Sequence, residues 1–291
     1  MSSINYKQRY PHNDLLQSPY DSRDYKFKDL VGTAVIDIPE EYESEDLGWT
    51  FDQGQSSMCA PSAYCYLRCL QEHDRSQSEL TDKLCPSFNY ANRDIGQDYE
   101  GMYLRNLCSK GRQGSVLYGR MKYPNTYKGA KEEFKAKQSE LEAEAKPFRI
   151  TKYYTCNSRK EVQQAILKTK GVLLSIPVFD SFYKPNNDGT IEFVPGQKSN
   201  GNHAVVVDGW RIINGKYYWR IKNSWGKYWG HLKTGHAYLP EEYPWTDKAF
   251  VLIDEVYEMT FAQYQKKYEE GGFKKVSFWT MLLNLFRIRR G

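Results

Sequence analysis

Three features of the chain predict an α+β fold, in which a helical half is followed by an antiparallel β half. Helical signals dominate between Ile36 and Tyr123. A run of helix formers extends from Lys128 to Lys146. After Gly171, β-branched and aromatic residues alternate around Asp188-Gly189 and Asn214-Gly215, dipeptides that favour tight hairpin turns.

Taken in order, residues 1–35 are polar, contain Tyr and Pro without any period, and read as an extended arm. Residues 36–125 form a mostly helical domain, residues 126–256 a β-rich one, and residues 257–291 a basic tail. In the helical part, Cys59 to Gln71 and Tyr103 to Ser109 are the principal helices. The stretch Lys128 to Lys146 places Glu133 four residues before Lys137 and Glu142 four before Lys146, a spacing that supports one solvated helix. Ser158 and Glu161 form a capping box for a short helix from Arg159 to Lys170, with Gly171 as its stop. The strands follow as VLLSIPVF, HAVVVDGWRII and KYYWRIKNSW.

The chain has 291 residues, 40% apolar and 15% aromatic, enough to build a substantial core and to exclude disordered, collagen-like and coiled-coil classes. Its 41 Lys and Arg against 36 Asp and Glu leave +5, a solvated surface and not a nucleic-acid face, so no nucleic-acid partner is expected. No signal peptide and no apolar span of roughly 18 residues can be read from it. Together with six sparse cysteines, that favours a soluble protein with reduced thiols in the cytoplasm or elsewhere inside a cell. Cys65, Cys69 and His73 share a helix face at i, i+4 and i+8, but no fourth ligand is spaced to join them. They are expected to be two buried thiols and a histidine near a helix end, with no metal and no cofactor. His12, His231 and His236 read as ordinary polar residues, the last two near the cleft rim.

One cysteine stands out by position. In DQGQSSMCAPSAYCYLRCL, Cys59 opens a helix, where unpaired N–H groups and the helix dipole favour thiolate over thiol. A nucleophilic thiolate needs a base and a group that holds the base. His203 in GNHAVVVDGW and Asn223, at the far end of the strand after the Asn214-Gly215 turn, can meet at one edge of the β half. Gln53, six residues before Cys59, is in reach to help the Cys59 N–H stabilise an oxyanion.

These residues resemble the papain-like cysteine peptidases. Gln53 to Cys59 has that family's spacing, His203 lies 144 residues beyond Cys59, and Asn223-Ser224-Trp225-Gly226 with Trp229-Gly230 reproduces its N-S-W-G-x-x-W-G run. The similarity extends roughly from Ile36 to Val256, and the D-S-R-D-Y element at Asp21 to Tyr25 is similar to leaders of bacterial and viral members. The resemblance implies a two-domain fold with a helical left domain, a β-barrel-like right domain and a cleft between them. It also implies Cys59 as nucleophile, His203 as general base and acid, Asn223 as orienter, Gln53 as oxyanion donor, and Trp225 as the cover over the Asn223–His203 hydrogen bond.

Departures from the family pattern occur beside the nucleophile. Ser56 replaces a cysteine that often forms a disulfide, Ser57 replaces a glycine, Met58 replaces a small residue, and Ala60 stands where tryptophan often follows the nucleophile. Gly101 maps to the glycine that binds substrate backbone. Met102 and Ile176 would then line the pocket for the residue two before the cut, which implies an aliphatic or aromatic preference there.

The expected function is a cysteine endopeptidase acting through a Cys59 thioester on a protein or peptide substrate. An acyltransferase or peptide ligase using the same site, and a tail-anchored adaptor with vestigial activity, are the alternatives. The arm either wraps the outside of the β domain or lies along the cleft with Tyr10, Pro11, Pro19 and Tyr20 in pockets. The tail, with VSFWTMLLNLF flanked by Lys274, Lys275, Arg287, Arg289 and Arg290 and no acid in residues 271–291, either docks on its own domain or meets an anionic membrane or a partner.

Overall fold

The computed structural model describes residues 5–11, 13–31, 37–76, 83–94 and 99–254. The basic tail and part of the arm therefore lie outside the described residues.

The arm carries two short helices, α1 (Tyr6–Arg9) and α2 (Phe27–Val31), and leads into the two-residue strand β1 (Tyr42–Glu43). The helical half follows: α3 (Cys59–Ser76), α4 (Pro86–Ala91), α5 (Leu104–Lys110), α6 (Tyr127–Ala136) and α7 (Gln138–Ala145). The β half contributes β2 (Lys152–Cys156), α8 (Arg159–Thr169), β3 (Val172–Pro177), β4 (Asn202–Ile213), β5 (Lys216–Lys222), β6 (His236–Pro240) and β7 (Ala249–Ile253). Its strands form one antiparallel sheet in the order β2-β7-β3-β4-β5-β6, with β1 paired to β4.

Local chemistry accounts for several of these boundaries. Asn214 and Gly215 both adopt positive φ, 51° and 73°, which gives the β4–β5 hairpin the twist that its strands require. Ser158 caps α8 by accepting from the Glu161 N–H, and the Glu161 carboxylate in turn accepts from the Asn157 N–H at 2.8 Å. The stop differs from expectation. Lys170, at φ 69°, takes the left-handed position, while Gly171 is needed for packing, since a Cβ there would lie 2.9 Å from Leu67 Cδ1. Asp188-Gly189 also differs: it makes a turn in which the Asp188 carboxylate accepts from Thr190, but no hairpin forms around it.

Two apolar clusters make up the core, and the helices of Lys128 to Lys146 belong to the first. The chain breaks at Lys137 into α6 and α7, whose Ala130, Phe134, Leu141 and Ala145 are buried in the same apolar cluster as residues of α3, α4 and α5, with α6 packed on α4. This is therefore not one solvated helix, and the helical half extends past residue 125 to include it. Each pair at i, i+4 forms an apolar stripe within a charged segment, and burying each large side chain contributes roughly 1.5–3 kcal/mol. The second cluster fills the β half around Trp210, Trp219, Trp225 and Trp229. α3 packs between the halves, with its N-terminus beside the start of β4.

All six cysteines are free and buried, and Ser56, in the loop before Cys59, leaves no partner for a bridge there. Cys65 donates to Asn89 Oδ1 at 3.4 Å, and Cys69 accepts the Leu84 N–H at 3.3 Å. No helix among the described residues is long and apolar enough to cross a membrane.

Candidate active site

The start of α3, the start of β4 and the end of β5 converge on one point. Cys59 is the first residue of α3, and the backbone N–H of Ala204, next to His203, donates to its sulfur together with that of Ala60. His203 lies one residue inside β4, opposite Ile176. Val206 pairs with Lys222 across the β4–β5 ladder, so Asn223, continuing from β5, falls near the same strand face as His203.

The His203 ring is fixed in one sense. Its Nε2 donates to Asn223 Oδ1 at 2.7 Å, and its buried Nδ1 meets no hydrogen-bonding partner in the structure. Asn223 is held in turn by its backbone N–H, which donates to the Gly235 carbonyl at 2.9 Å, while its Oδ1 also accepts the Ser224 N–H. Trp225 lies with its ring centroid 5.0 Å from that of His203, tilted by 47°, and shields the imidazole from that side. Gln53 is fully buried. Its Oε1 accepts from the Ser224 hydroxyl at 2.6 Å, its Nε2 donates to the Ser56 carbonyl at 2.8 Å, and its backbone N–H bonds the Ser224 carbonyl.

The arm runs through this cleft and not over the outside of the β half. Asn202 donates to the Asn13 carbonyl and accepts from the Leu15 N–H, and the Leu16 N–H donates to the Met102 carbonyl at 3.1 Å. The chain thus bridges the β half and the helical half directly across Cys59. Asp14 lies close enough to Cys59 for its charge to act on the sulfur, with its carboxylate accepting from the Ser57 hydroxyl at 2.7 Å. A Cβ on Gly101 would collide with the Asp14 carbonyl, so glycine is required for the arm to approach. Upstream, Tyr10 is buried against Trp225, whereas Pro11, Pro19 and Tyr20 are exposed and fill no pocket. Downstream, the Asp24 carboxylate of the D-S-R-D-Y element pairs with both ends of the Arg105 guanidinium, the Tyr25 carbonyl accepts from Thr155, and Phe27 enters the β-half core.

This burial changes the ionisation expected from a helix start. Desolvation pushes the Cys59 thiol up to about 12, and the Asp14 charge adds to it, outweighing the N–H groups that favour thiolate. Burial lowers His203 to about 4 against the Asn223 hydrogen bond, which raises it. The closed site therefore holds a neutral thiol and a neutral imidazole.

The expected pocket residues fall apart in the structure. Met102 lies in the cluster that also holds Leu15, Cys59 and Ala204, while Ile176 packs in the β-half cluster with Val172 and Leu174. Ile176, paired with His203, stays on the β-half side of the sheet, whereas Ala204, the next residue of β4, belongs to the cluster that holds Met102 and was not anticipated. Met58 turns into the helical core, where its sulfur accepts the Asn125 N–H, so its extra bulk is directed away from the cleft. His236 is not at the cleft rim. It is buried against Asp208, which also pairs with Arg220 at 2.8 Å. Asp14 and Asp52 are further site residues that the sequence did not single out. Among the described residues, no cluster of side chains is arranged to hold a metal ion.

Comparison with known proteins agrees with this architecture. The model of the papain family of cysteine proteases matches residues 87–242, which contain His203 and Asn223 and begin after Cys59. The Gut-specific cysteine proteinase of Caenorhabditis elegans is 32% identical over 88 residues, 30% of this chain and 26% of that protein. Cathepsin B-like cysteine proteinase 3 of the same organism is 36% identical over 86 residues, 30% of this chain and 22% of that protein. The chain thus spans about a quarter of the length of the curated relatives it matches. Xylellain, a cysteine protease from Xylella fastidiosa, superposes with a TM-score of 0.69 at 18% identity, covering 84% of this chain and 97% of that one. Digestive procathepsin L 3 of the Tenebrio molitor larval midgut gives 0.61 at 17% identity, over 85% and 76%. The folds coincide, the family model covers more than half of the residues, and the chain belongs to the papain family of cysteine proteases.

Proposed function

We propose that the chain is a cysteine endopeptidase in which Cys59, His203, Asn223 and Gln53 carry the chemistry and the N-terminal arm holds the site latent. The observation that carries this reading is the half-satisfied imidazole. His203 gives one nitrogen to Asn223 at 2.7 Å and leaves the other without a partner, next to the Ala204 N–H that touches the Cys59 sulfur.

In the reaction the Cys59 proton passes to His203 Nδ1 as the sulfur attacks a peptide carbonyl carbon. The carbonyl π electrons move to oxygen, where the Cys59 N–H and Gln53 Nε2 stabilise them. The C–N bond then breaks, and the leaving nitrogen takes the proton from the imidazolium, leaving a thioester. Water, deprotonated by His203, adds to the thioester, and the C–S bond breaks to give the acid and restore the thiol. Asn223 keeps Nε2–H pointed away so that Nδ1 faces the sulfur throughout.

Arm departure admits solvent to Cys59 and His203, which moves both groups back toward ionisation, and removes the Asp14 charge that raises the thiol. The test is mass-spectrometric identification of the thiol that reacts first with a peptidyl epoxide at neutral pH, coupled to peptide hydrolysis. Cys59 labels ahead of Cys65 and Cys69, and Cys59→Ala loses turnover. Full turnover by Cys59→Ala would refute the mechanism, and products in which an added amine is acylated would redirect it to group transfer.

A further inference from the structure

Lys222 is a buried charge that the reaction does not use. It ends β5, and its side chain is 2% exposed. Its ammonium donates to the Asp46 carboxylate at 3.0 Å and to the Thr234 carbonyl at 2.7 Å, and it lies 4.7 Å from the centroid of the Tyr66 ring. These partners come from three places in the chain. Asp46 is in the segment that leads from β1 to Gln53, Tyr66 is on α3 about two turns beyond Cys59, and Thr234 precedes β6. The Tyr66 hydroxyl also donates to Asp46, at 3.4 Å, and the Thr50 hydroxyl donates to the Thr234 carbonyl at 2.9 Å. One ammonium thus ties the helix that begins with the nucleophile to the strand that ends beside Asn223.

Asn223 depends on such a tie. Its carboxamide is held through Oδ1, by His203 Nε2 and the Ser224 N–H, while its buried Nδ2 meets no partner in the structure. The backbone beneath it therefore sets much of its direction. That backbone is gripped at two successive carbonyls of one loop, by Lys222 Nζ at Thr234 and by the Asn223 N–H at Gly235, 2.9 Å away. The loop is a firm anchor, because at Gly235, φ 74°, an added Cβ would lie 2.6 Å from the Thr50 side chain. Burial lowers Lys222 from the usual lysine range and Asp46 opposes that, so the ammonium relies on Asp46 for its charge.

We propose that Lys222 is a positioning residue, which through Asp46, Tyr66 and Thr234 holds the end of β5 so that Asn223 aims His203 at the Cys59 sulfur. This rests on the peptidase reading. The effect of Lys222 reaches the reaction through Asn223, so it vanishes when Asn223 has no carboxamide.

The test is a double-mutant cycle in the full chain carrying Tyr10→Ala, which opens the cleft. Lys222→Met keeps the stem, removes the charge and lowers kcat for peptide hydrolysis about tenfold, with KM within about twofold. In the Asn223→Ala background the same substitution changes kcat by less than about twofold. Asp46→Asn follows the same pattern on a smaller scale, about threefold and only with Asn223 present, and it replaces Lys222→Met if that variant does not melt cooperatively. Equal losses in both backgrounds, or no loss with Asn223 present, overturn the proposal. If the Tyr10→Ala parent neither cuts peptides nor is labelled at Cys59 by an epoxide, the peptidase reading fails. Positioning is then read from solvent exchange of the His203 Nε2 proton, by NMR on protein carrying isotope-labelled histidine, with the signal assigned by its loss in Asn223→Ala. Exchange about tenfold faster in Lys222→Met supports the proposal, and an unchanged rate overturns it.

Discussion

Replacing Tyr10 by alanine should convert a sealed cleft into one that opens often. Tyr10 is 1% exposed. Its removal forfeits about 1 kcal/mol of ring stacking on Trp225, about 2 kcal/mol of apolar burial and about 1 kcal/mol of hydrogen bonding. Some of this is regained when the arm repacks, which leaves about 3 kcal/mol, or about a hundredfold in the open population. The closed form carries neither a thiolate nor an imidazolium between about pH 5 and about pH 11, so a peptidyl epoxide reacts only through the open form. The second-order rate of Cys59 labelling at pH 7 should therefore rise about a hundredfold, with Cys65 and Cys69 unlabelled. A rate within twofold of the unaltered protein, in a variant that still melts cooperatively, would refute the argument. So would labelling of all three thiols in step, which would mean that the whole fold has loosened.

Other substitutions separate the parts of the site. Gly101→Ala displaces the Asp14 carbonyl and should speed labelling of Cys59 by a small alkylator, and, if the same glycine receives substrate backbone as the family resemblance implies, lower kcat/KM for peptides. Asn223→Ala frees the His203 ring and should reduce kcat by about a hundredfold without abolishing it, as read by steady-state kinetics; an unchanged kcat would dismiss the orienting role. Asp208→Asn should destabilise the fold by about 3 kcal/mol in urea titrations at pH 7, because it leaves Arg220 buried beside a neutral amide. Burial alone would raise the Asp208 carboxyl, but Arg220 and His236 hold it at about 2 in the folded state. Its contribution is therefore present above the unfolded value near pH 4 and is lost as pH falls through the folded value of about 2, and the gap between variant and parent should close over the same range. Removal of residues 271–291, with their apolar run between basic flanks, should abolish co-sedimentation with anionic liposomes; equal sedimentation of both forms would dismiss a membrane role for the tail.

Much of the site was legible because its signals are local. A cysteine and an early proline at the head of a helical run, a serine three residues before Glu161 and an Asn-Gly pair between alternating strands each specify their own backbone, and α3, α8 and the β4–β5 hairpin follow from them. The strand pairing that brings Asn223 to His203 was legible only in part: the hairpin register alone would set Asn223 opposite Val206, and a bulge between Val207 and Gly209 shifts the ladder by one residue and turns Asn223 to the His203 face. What stayed hidden depends on partners distant in sequence. Nothing within residues 1–35 states that Asn13 and Leu15 will bond Asn202, or that Leu16 will bond Met102. The inner side of β3 was ambiguous for a different reason. VLLSIP is buried on both faces, so alternation could not tell that Ile176 joins the β-half cluster while Ala204 joins the one that holds Met102. Phe134 and Leu141 were outvoted by the charges around them, though their spacing carried the signal. Cys59 shows the same division. Its place at a helix tip is written locally, while the Asp14 charge that adds to its desolvation comes from a segment more than forty residues upstream.

The strand of chain lying over the sulfur is tethered at both ends of its passage, by Arg9 to Asp52 and by Asp24 to Arg105. Its local concentration at the cleft is therefore set by geometry and not by how much protein is in the tube. Dilution cannot wake such a molecule, and a free competitor must outbid a neighbour that never diffuses away. A single nick between Leu16 and Asp24 would change the rules, turning a permanent resident into a peptide with an off-rate that can be washed out.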